Sequence, residues 1–427
     1  MTAHRHDLPA AYPGVARGPR LPEPRTKDPS GLSVGRRSWI ADHLGDRGGK
    51  SPMSASAMPV LAYLGGTQAL TMTPVVGDPV QARPDVFIPG TEDLATGEIR
   101  VTVLGSGDPW IRRSQASGSL LIEVGNPERD LFFFDLGSGS LANFTALSLP
   151  VESTTKVFLS HLHADHIGDI PGLVGSLAKA GRVDPVEVWG GACEDPDLGL
   201  TAFVEHMGKA MAWDTASVSG VRPTTGFAMV GHEIPFDRPE TIYERNGVTV
   251  SCFPAIHGLS GAVGYSVAYS GLKVVFSGDT RPCRHVVDAA VGADLLIHEC
   301  FQSPAVYARA TGLPLETALN ITRLAHTVPD QIGKILDMTR PRMGALWHLD
   351  VTPGVEGVFD ELGAHYTGPV TVSQDFTVFN VTSDAVVARQ AKVNDAAPPV
   401  HGPSQSNPEL DLRPKPPAWW AEALLDL

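Results

Sequence analysis

The sequence predicts an α/β protein, a four-layer αββα sandwich with two β-sheets face to face and helices on the outside. Three observations predict it. Short apolar strands alternate with helical segments, the alternation runs through two successive strand-rich halves, and one strand of the first half leads straight into a cluster of histidines.

In the first half, residues 99–104, 119–124 and 131–135 read as strands joined by Gly-rich turns, and residues 156–160 as the strand ahead of the histidines. Residues 167–180 carry a helical pattern and 186–189 a further strand. Residues 191–247 read as an insertion with a helix over 201–211. The second half repeats the pattern. Strands are expected over 248–253, 263–269 and 272–276, a helix over 285–291, and a strand over 294–298. Helices over 315–325 and 329–339 and a strand over 344–348 follow.

Proline marks the boundaries. Residues 1–97 hold 12 of the 36 prolines and residues 391–427 hold 7, so an irregular leader (1–97) and a tail (393–427) bracket one folded domain (98–392). Trp419-Trp420 ahead of residues 421–427 is expected either to dock as a short helix or to stay loose. Arg36-Arg37 ahead of an uncharged stretch over 51–77 resembles a degenerate twin-arginine export signal. Asp42, Asp46, Arg47 and Lys50 interrupt it, so a cytoplasmic location is expected, with export the alternative.

Composition excludes some functions. No apolar run is long and clean enough to span a bilayer. A formal net charge of −14 repels phosphate backbones and disfavours a general nucleic-acid binder. Cys193, Cys252, Cys283 and Cys300 form no C-x-x-C pair, so they read as reduced core thiols rather than a zinc ribbon or a disulfide frame.

The chemistry concentrates in His161-Leu162-His163-Ala164-Asp165-His166, after the buried strand Val157-Phe158-Leu159-Ser160. Four ligand-type side chains within six residues, held in a turn at a strand end, can converge on one centre, and imidazole and carboxylate suit zinc and its neighbours. His161 and His163 lie two apart, on one side of an extended backbone. Asp165 and His166 turn toward a second position.

H-x-H-x-D-H after an apolar strand resembles the signature of metallo-β-lactamase-fold hydrolases, and further motifs follow in that family's order. His257 in Pro254-Ala255-Ile256-His257-Gly258, Asp279 in Ser277-Gly278-Asp279-Thr280 and His348 in Ala345-Leu346-Trp347-His348 match its remaining ligands. The resemblance implies two divalent cations, zinc first with manganese or iron as alternatives. One would sit on His161, His163 and His257, the other on Asp165, His166 and His348, with Asp279 bridging. A hydroxide shared by the two cations would be the nucleophile, and Asp165 would both ligate and position it.

The run from Ser277 to Cys283, then His298-Glu299, then His326-Thr327 resembles the ribonuclease Z-like branch. That likeness implies that Glu299 orients His326, which stabilises developing charge or protonates the leaving group. The match departs from true ribonuclease Z. Residues 191–247 hold nine acidic and four basic residues, whereas an arm that grips tRNA should be basic. Asn143-Phe144-Thr145-Ala146-Leu147, Trp213-Asp214-Thr215 and Phe379-Asn380-Val381-Thr382 resemble metallo-hydrolases found with guanitoxin biosynthesis genes. The expected activity is therefore hydrolysis of a small-molecule ester, phosphodiester or lactone, in secondary metabolism. The alternatives are a tRNA 3′ endonuclease and a non-catalytic metal-binding protein. A small-molecule substrate is the expected partner, with nucleic acid disfavoured but left open, no membrane, and a homodimer allowed. Phe203, His206, Met207, Met211 and Trp213 are expected to wall the site.

Overall fold

The computed structural model describes residues 75–81, 83–402 and 411–425. Arg36-Arg37 and most of the uncharged stretch after it lie outside them.

The first half folds into β1 (Val75–Gly77), β2 (Val86–Phe87), β3 (Ile99–Gly105), β4 (Ser119–Val124), β5 (Leu131–Phe134), β6 (Lys156–Leu159), β7 (Val186–Gly191) and β8 (Met229–Ile234). Its helices are α1 (Ser140–Ala146), α2 (Ala164–Ile167), α3 (Ile170–Lys179), α4 (Leu200–Ala210) and α5 (Ala212–Val218). The second half gives β9 (Glu240–Arg245), β10 (Val248–Pro254), β11 (Val263–Tyr269), β12 (Leu272–Phe276), β13 (Leu295–Glu299), β14 (Met343–Trp347) and β15 (Val370–Val372), then β16 (Thr377–Val381) and β17 (Ala385–Ala391). Its helices are α6 (Arg284–Ala290), α7 (Pro304–Thr311), α8 (Leu315–Ala325), α9 (Pro329–Thr339), α10 (Glu356–Gly363) and, in the tail, α11 (Ala418–Ala423).

Two sheets result. One runs β1-β17-β16-β3-β4-β5-β6-β7-β8, with β2 beside β17, and the other runs β15-β14-β13-β12-β11-β10-β9. Strand periodicity sorts side chains between layers. In β5, Phe132 and Phe134 enter the core between the sheets, while Phe133 meets the helices outside. Phe158 of β6 stacks on Trp189 at 4.6 Å in the same central core, and its neighbours Val157 and Leu159 face α1 and α3. On the second sheet Leu295 and Ile297 face inward, and Leu296 meets α6, α9 and α10. The helix–sheet–sheet–helix layering is the one the alternation predicted.

The edges differ from expectation. Residues 75–97 are not all leader. β1 and β2 pair with β17, and buried ion pairs tie this strap to the sheet, with Arg83 on Glu92 and Glu98, and Arg389 on Glu92. Residues 191–247 are not wholly an insertion either, because β8 and β9 form the outer edges of the two sheets. Phe203, Met207 and Met211 pack onto the outer core with α3, while Trp213 stays 81% exposed, so this segment presents no apolar wall. The tail does form a short helix, and Trp419 and Trp420 are exposed on it. All four cysteines are free thiols, three of them buried. No helix among the described residues is long and apolar enough to cross a membrane.

Candidate metal centre

The ligand-type residues and Glu299 lie where strands end, and His326 caps the end of α8. β6 delivers His161 and His163, and α2 follows at once with Asp165 and His166. The loop after β10 carries His257, the turn after β12 carries Asp279, β13 ends on Glu299, and β14 runs into His348. The first four come from one sheet and the rest from the other, so the centre sits at the seam between them. Gly278, at φ +58°, makes the turn that aims Asp279, and a Cβ there would meet the Ser160 Cβ at 2.7 Å.

The side chains converge. His163 Nδ1 lies 2.9 Å from His161 Nε2 and 3.0 Å from His257 Nε2. Ligand atoms around a tetrahedral zinc with bonds of about 2.0–2.1 Å are about 3.3 Å apart, so these three nitrogens are spaced to share one cation. Asp165 Oδ2 lies 3.4 Å from His166 Nε2 and 3.2 Å from His348 Nε2, which makes a second triad. Asp279 Oδ2 stands between them, 4.0 and 3.9 Å from the His161 and His257 nitrogens and 3.4 Å from those of both His166 and His348. His166 Nε2 and Asp279 Oδ1 are buried and have no hydrogen-bond partner among the described residues. Buried polar atoms left unpaired cost free energy unless something else satisfies them.

Protonation fits a cation site too. Burial holds His161 well below its ordinary value and takes His257 down to about 4, so both keep a lone pair at neutral pH. In the second triad burial pushes His348 down, but Asp279 and Asp165 outweigh it and raise it to about 9. His166 moves up for the same reason, with Asp279 and Asp135 beside it. Burial works against ionised Asp165 and Asp279, yet the imidazoles around them keep both well below the carboxylate range. This half of the site gathers anionic charge that calls for positive charge.

Sequence reasoning missed Asp135. It is fully buried, and it accepts hydrogen bonds from the Ser160 backbone N–H at 2.6 Å, from Ser160 Oγ at 2.7 Å and from His166 Nδ1 at 2.8 Å. Ser160 Oγ in turn lies 3.0 Å from His161 Nδ1. One carboxylate thus fixes a proton on the far nitrogen of two imidazoles and turns both Nε2 atoms inward. An acidic residue closing the Phe132-Phe133-Phe134 strand in front of Gly137 is the signal that could have found it. Asp135 and His348 both adopt left-handed backbone, at φ 59° and 60°, a strained state that cluster residues often hold.

His326 and Glu299 form a separate pair. His326 Nδ1 lies 3.1 Å from Glu299 Oε2, and Glu299 Oε1 accepts the Thr280 N–H at 2.6 Å. Burial, then the charge of Asp279, pushes Glu299 well up, and burial takes His326 down to about 4. His326 is also close enough to His257 and Asp279, and to Glu299 and His348, to join a ligand set. A cavity of about 560 Å³ opens behind the neighbouring loops, between Gln302, Arg309, Asp350 and Val358, but none of the converging residues lines it.

The model of the beta-lactamase superfamily domain matches residues 133–349, from the end of β5 to one residue past His348. The chain belongs to that superfamily. Ribonuclease Z of Mycobacterium marinum is 30% identical over 208 residues, spanning 47% of this chain and 70% of the relative. Ribonuclease Z of Mycobacterium avium is 27% identical over 212 residues, spanning 47% and 69%. Among solved structures, the metallo-β-lactamase fold protein YhfI of Bacillus subtilis superposes with a TM-score of 0.51 at 18% identity, covering 66% of this chain and all of that one. This superfamily member has the metallo-β-lactamase fold and is a metal-dependent hydrolase.

Proposed function

We propose that the protein is a dinuclear hydrolase of a small-molecule phosphodiester, with esters and lactones as neighbouring substrate classes. The observation that carries this reading is the buried His326–Glu299 pair, set beside the ligand-type cluster with its second nitrogen free of Glu299. His161, His163 and His257 would hold one cation, Asp165, His166 and His348 the other, and Asp279 would bridge them. Divalent cations held there would supply Lewis acidity for activating water and polarising the electrophilic oxygen; zinc is the first candidate, then manganese or iron.

The chain's own residues do the rest. Asp165, kept ionised, orients the attacking water. Glu299 holds His326 by Nδ1, which leaves Nε2 to carry a proton to the departing oxygen. A small substrate is favoured because α4 packs on the core rather than projecting, and because Arg112 is held by Asp108 and Asp350 rather than offered to a phosphate backbone. The likeness to guanitoxin-associated hydrolases points the same way, toward secondary metabolism. A second reading, tRNA 3′ processing, is favoured by the ribonuclease Z relatives, which are 27–30% identical over 47% of this chain.

A panel of bis(p-nitrophenyl) phosphate, an aryl ester, a lactone and precursor tRNA, each with and without chelator, tests this. Chelator-sensitive turnover of the diester that exceeds cleavage of precursor tRNA supports the proposal. Turnover confined to precursor tRNA, or indifferent to chelator, overturns it.

A further inference from the structure

Phe301 lies two residues beyond Glu299, is 3% exposed, and stacks on His326 with ring centroids 4.2 Å apart and planes 10° from parallel. The column continues through His348, 5.8 Å from His326 at 19°, to His166, 5.2 Å further at 20°. Phe301 is therefore the non-polar end of a stack of imidazoles. It is held from behind by Tyr307 at 4.8 Å, within a small cluster that also contains Ala318. That cluster belongs to the hairpin of α7 and α8, and the same hairpin presents the Ala325 carbonyl to His257 Nδ1 at 2.7 Å and ends on His326.

A proton donor must point N–H along the line to the departing oxygen. The bond from His326 Nδ1 to Glu299 fixes one edge of the ring, but the ring can still tilt about that bond. A flat neighbour in van der Waals contact removes the tilt. We propose that Phe301 is a positioning residue that sets the plane of His326 for proton delivery to the leaving group. This rests on His326 acting as the acid. Phe301 itself touches neither substrate nor cation. An aromatic contact of this kind contributes about 0.5–1.5 kcal/mol, equivalent to about 2–12-fold in rate, and misaim adds to it.

The test uses the metal-loaded full chain and a series of aryl methyl phosphodiesters, from nitrophenyl to unsubstituted phenyl. His326→Ala is the calibrator, and its loss should grow as the leaving group worsens. Phe301→Leu should follow the same trend, losing about tenfold on the phenyl ester and about twofold on the nitrophenyl ester. Phe301→Tyr, which keeps a ring face, should recover most of that loss. Metal content should stay at the wild-type value in both variants. Tyr307→Leu should give a weaker version of the same trend, which covers the case of a Phe301→Leu chain that does not fold. If His326→Ala is leaving-group dependent while Phe301→Leu and Tyr307→Leu lose equally across the series, Phe301 is only packing and the inference fails. If His326→Ala shows no dependence, the acid reading fails, and the role of Phe301 fails with it.

Discussion

Asp135→Asn swaps one oxygen for an amide nitrogen in a fully buried setting, and its effect can be worked through atom by atom. In the native chain the carboxylate only accepts. It takes the His166 Nδ1 proton directly at 2.8 Å, and through Ser160 Oγ it draws the proton of His161 to that ring's Nδ1. Asparagine can still accept the Ser160 backbone N–H with its oxygen, and it tolerates the left-handed backbone at this position. Its NH2 now occupies the other site and donates. His166 Nδ1 must accept, so the proton moves to Nε2, and Ser160 Oγ must donate to His161, which inverts that ring too. Each inversion removes a lone pair aimed at the candidate cations. Outer-shell changes usually cost 10–100-fold in metal affinity, and since two ligand rings invert here the expected loss is about 100-fold. The fold should survive, with about 1–3 kcal/mol lost from the weakened buried hydrogen bonds. Competition with a chelator of known affinity, read beside a thermal melt, measures both quantities. A folded Asp135→Asn chain that binds metal as tightly as wild type would refute the tautomer argument.

Three further outcomes are expected. Asp279→Ala removes the oxygen between the two triads, so bound metal should fall from two equivalents toward one and turnover should drop by more than the 10–100-fold typical of an outer-shell residue; elemental analysis with steady-state rates decides, and two retained equivalents count against bridging. Gly118→Ala places a Cβ 2.7 Å from Trp347 Cζ2 and 3.3 Å from His166 Cε1. Trp347 is fully buried and donates to the Gly105 carbonyl at 2.8 Å, so it has little room to yield; melting should register about 1–3 kcal/mol of overpacking together with weaker metal binding, and an unchanged protein would contradict the close fit. Burial pushes the Asp130 carboxyl up, but hydrogen bonds from Asn246, Asn126 and Lys156 outweigh it and hold it below its ordinary value. A depressed carboxylate stabilises the fold above the unfolded-state pKa and loses that contribution as pH falls through the folded one, so the gap in melting temperature between wild type and Asp130→Asn should be full at neutral pH and close in acid below about 3.9, whereas a gap independent of pH would exclude this source.

The central elements were legible because they repeat a period. The strand over 131–135 alternates Phe between two cores, and the helix over 329–339 was bounded correctly because Pro329 opens it and the apolar face of α9 is regular. The ligand-type residues were legible because chemistry of that density has few other uses. What escaped was short or paired at long range. β1 and β2 have three and two residues, too few to show alternation, and their stability comes from β17 and from Arg389, about 300 positions away. β16 and β17 return to the first sheet beside β3, a closure that no local pattern announces. α4 carried the right residues for an apolar wall, but amphipathicity does not say which neighbour an apolar face will choose, and the α3 layer took it. Asp135 escaped because a single acid at a strand end looks like a turn residue until its three donors are seen.

Because His161, His163, Asp165 and His166 hang from one sheet and His257, Asp279 and His348 from the other, any ion shared among them fastens two stretches of chain that meet here from far apart in sequence. Such a fastener acts on folding as much as on catalysis, since ligand binding to the native state alone adds stability in proportion to the logarithm of ion concentration. Cells short of the metal would then hold less of this protein, and not merely a less active form. A chain cut in the exposed loop between the halves should reassemble from its two pieces more tightly when the ion is supplied.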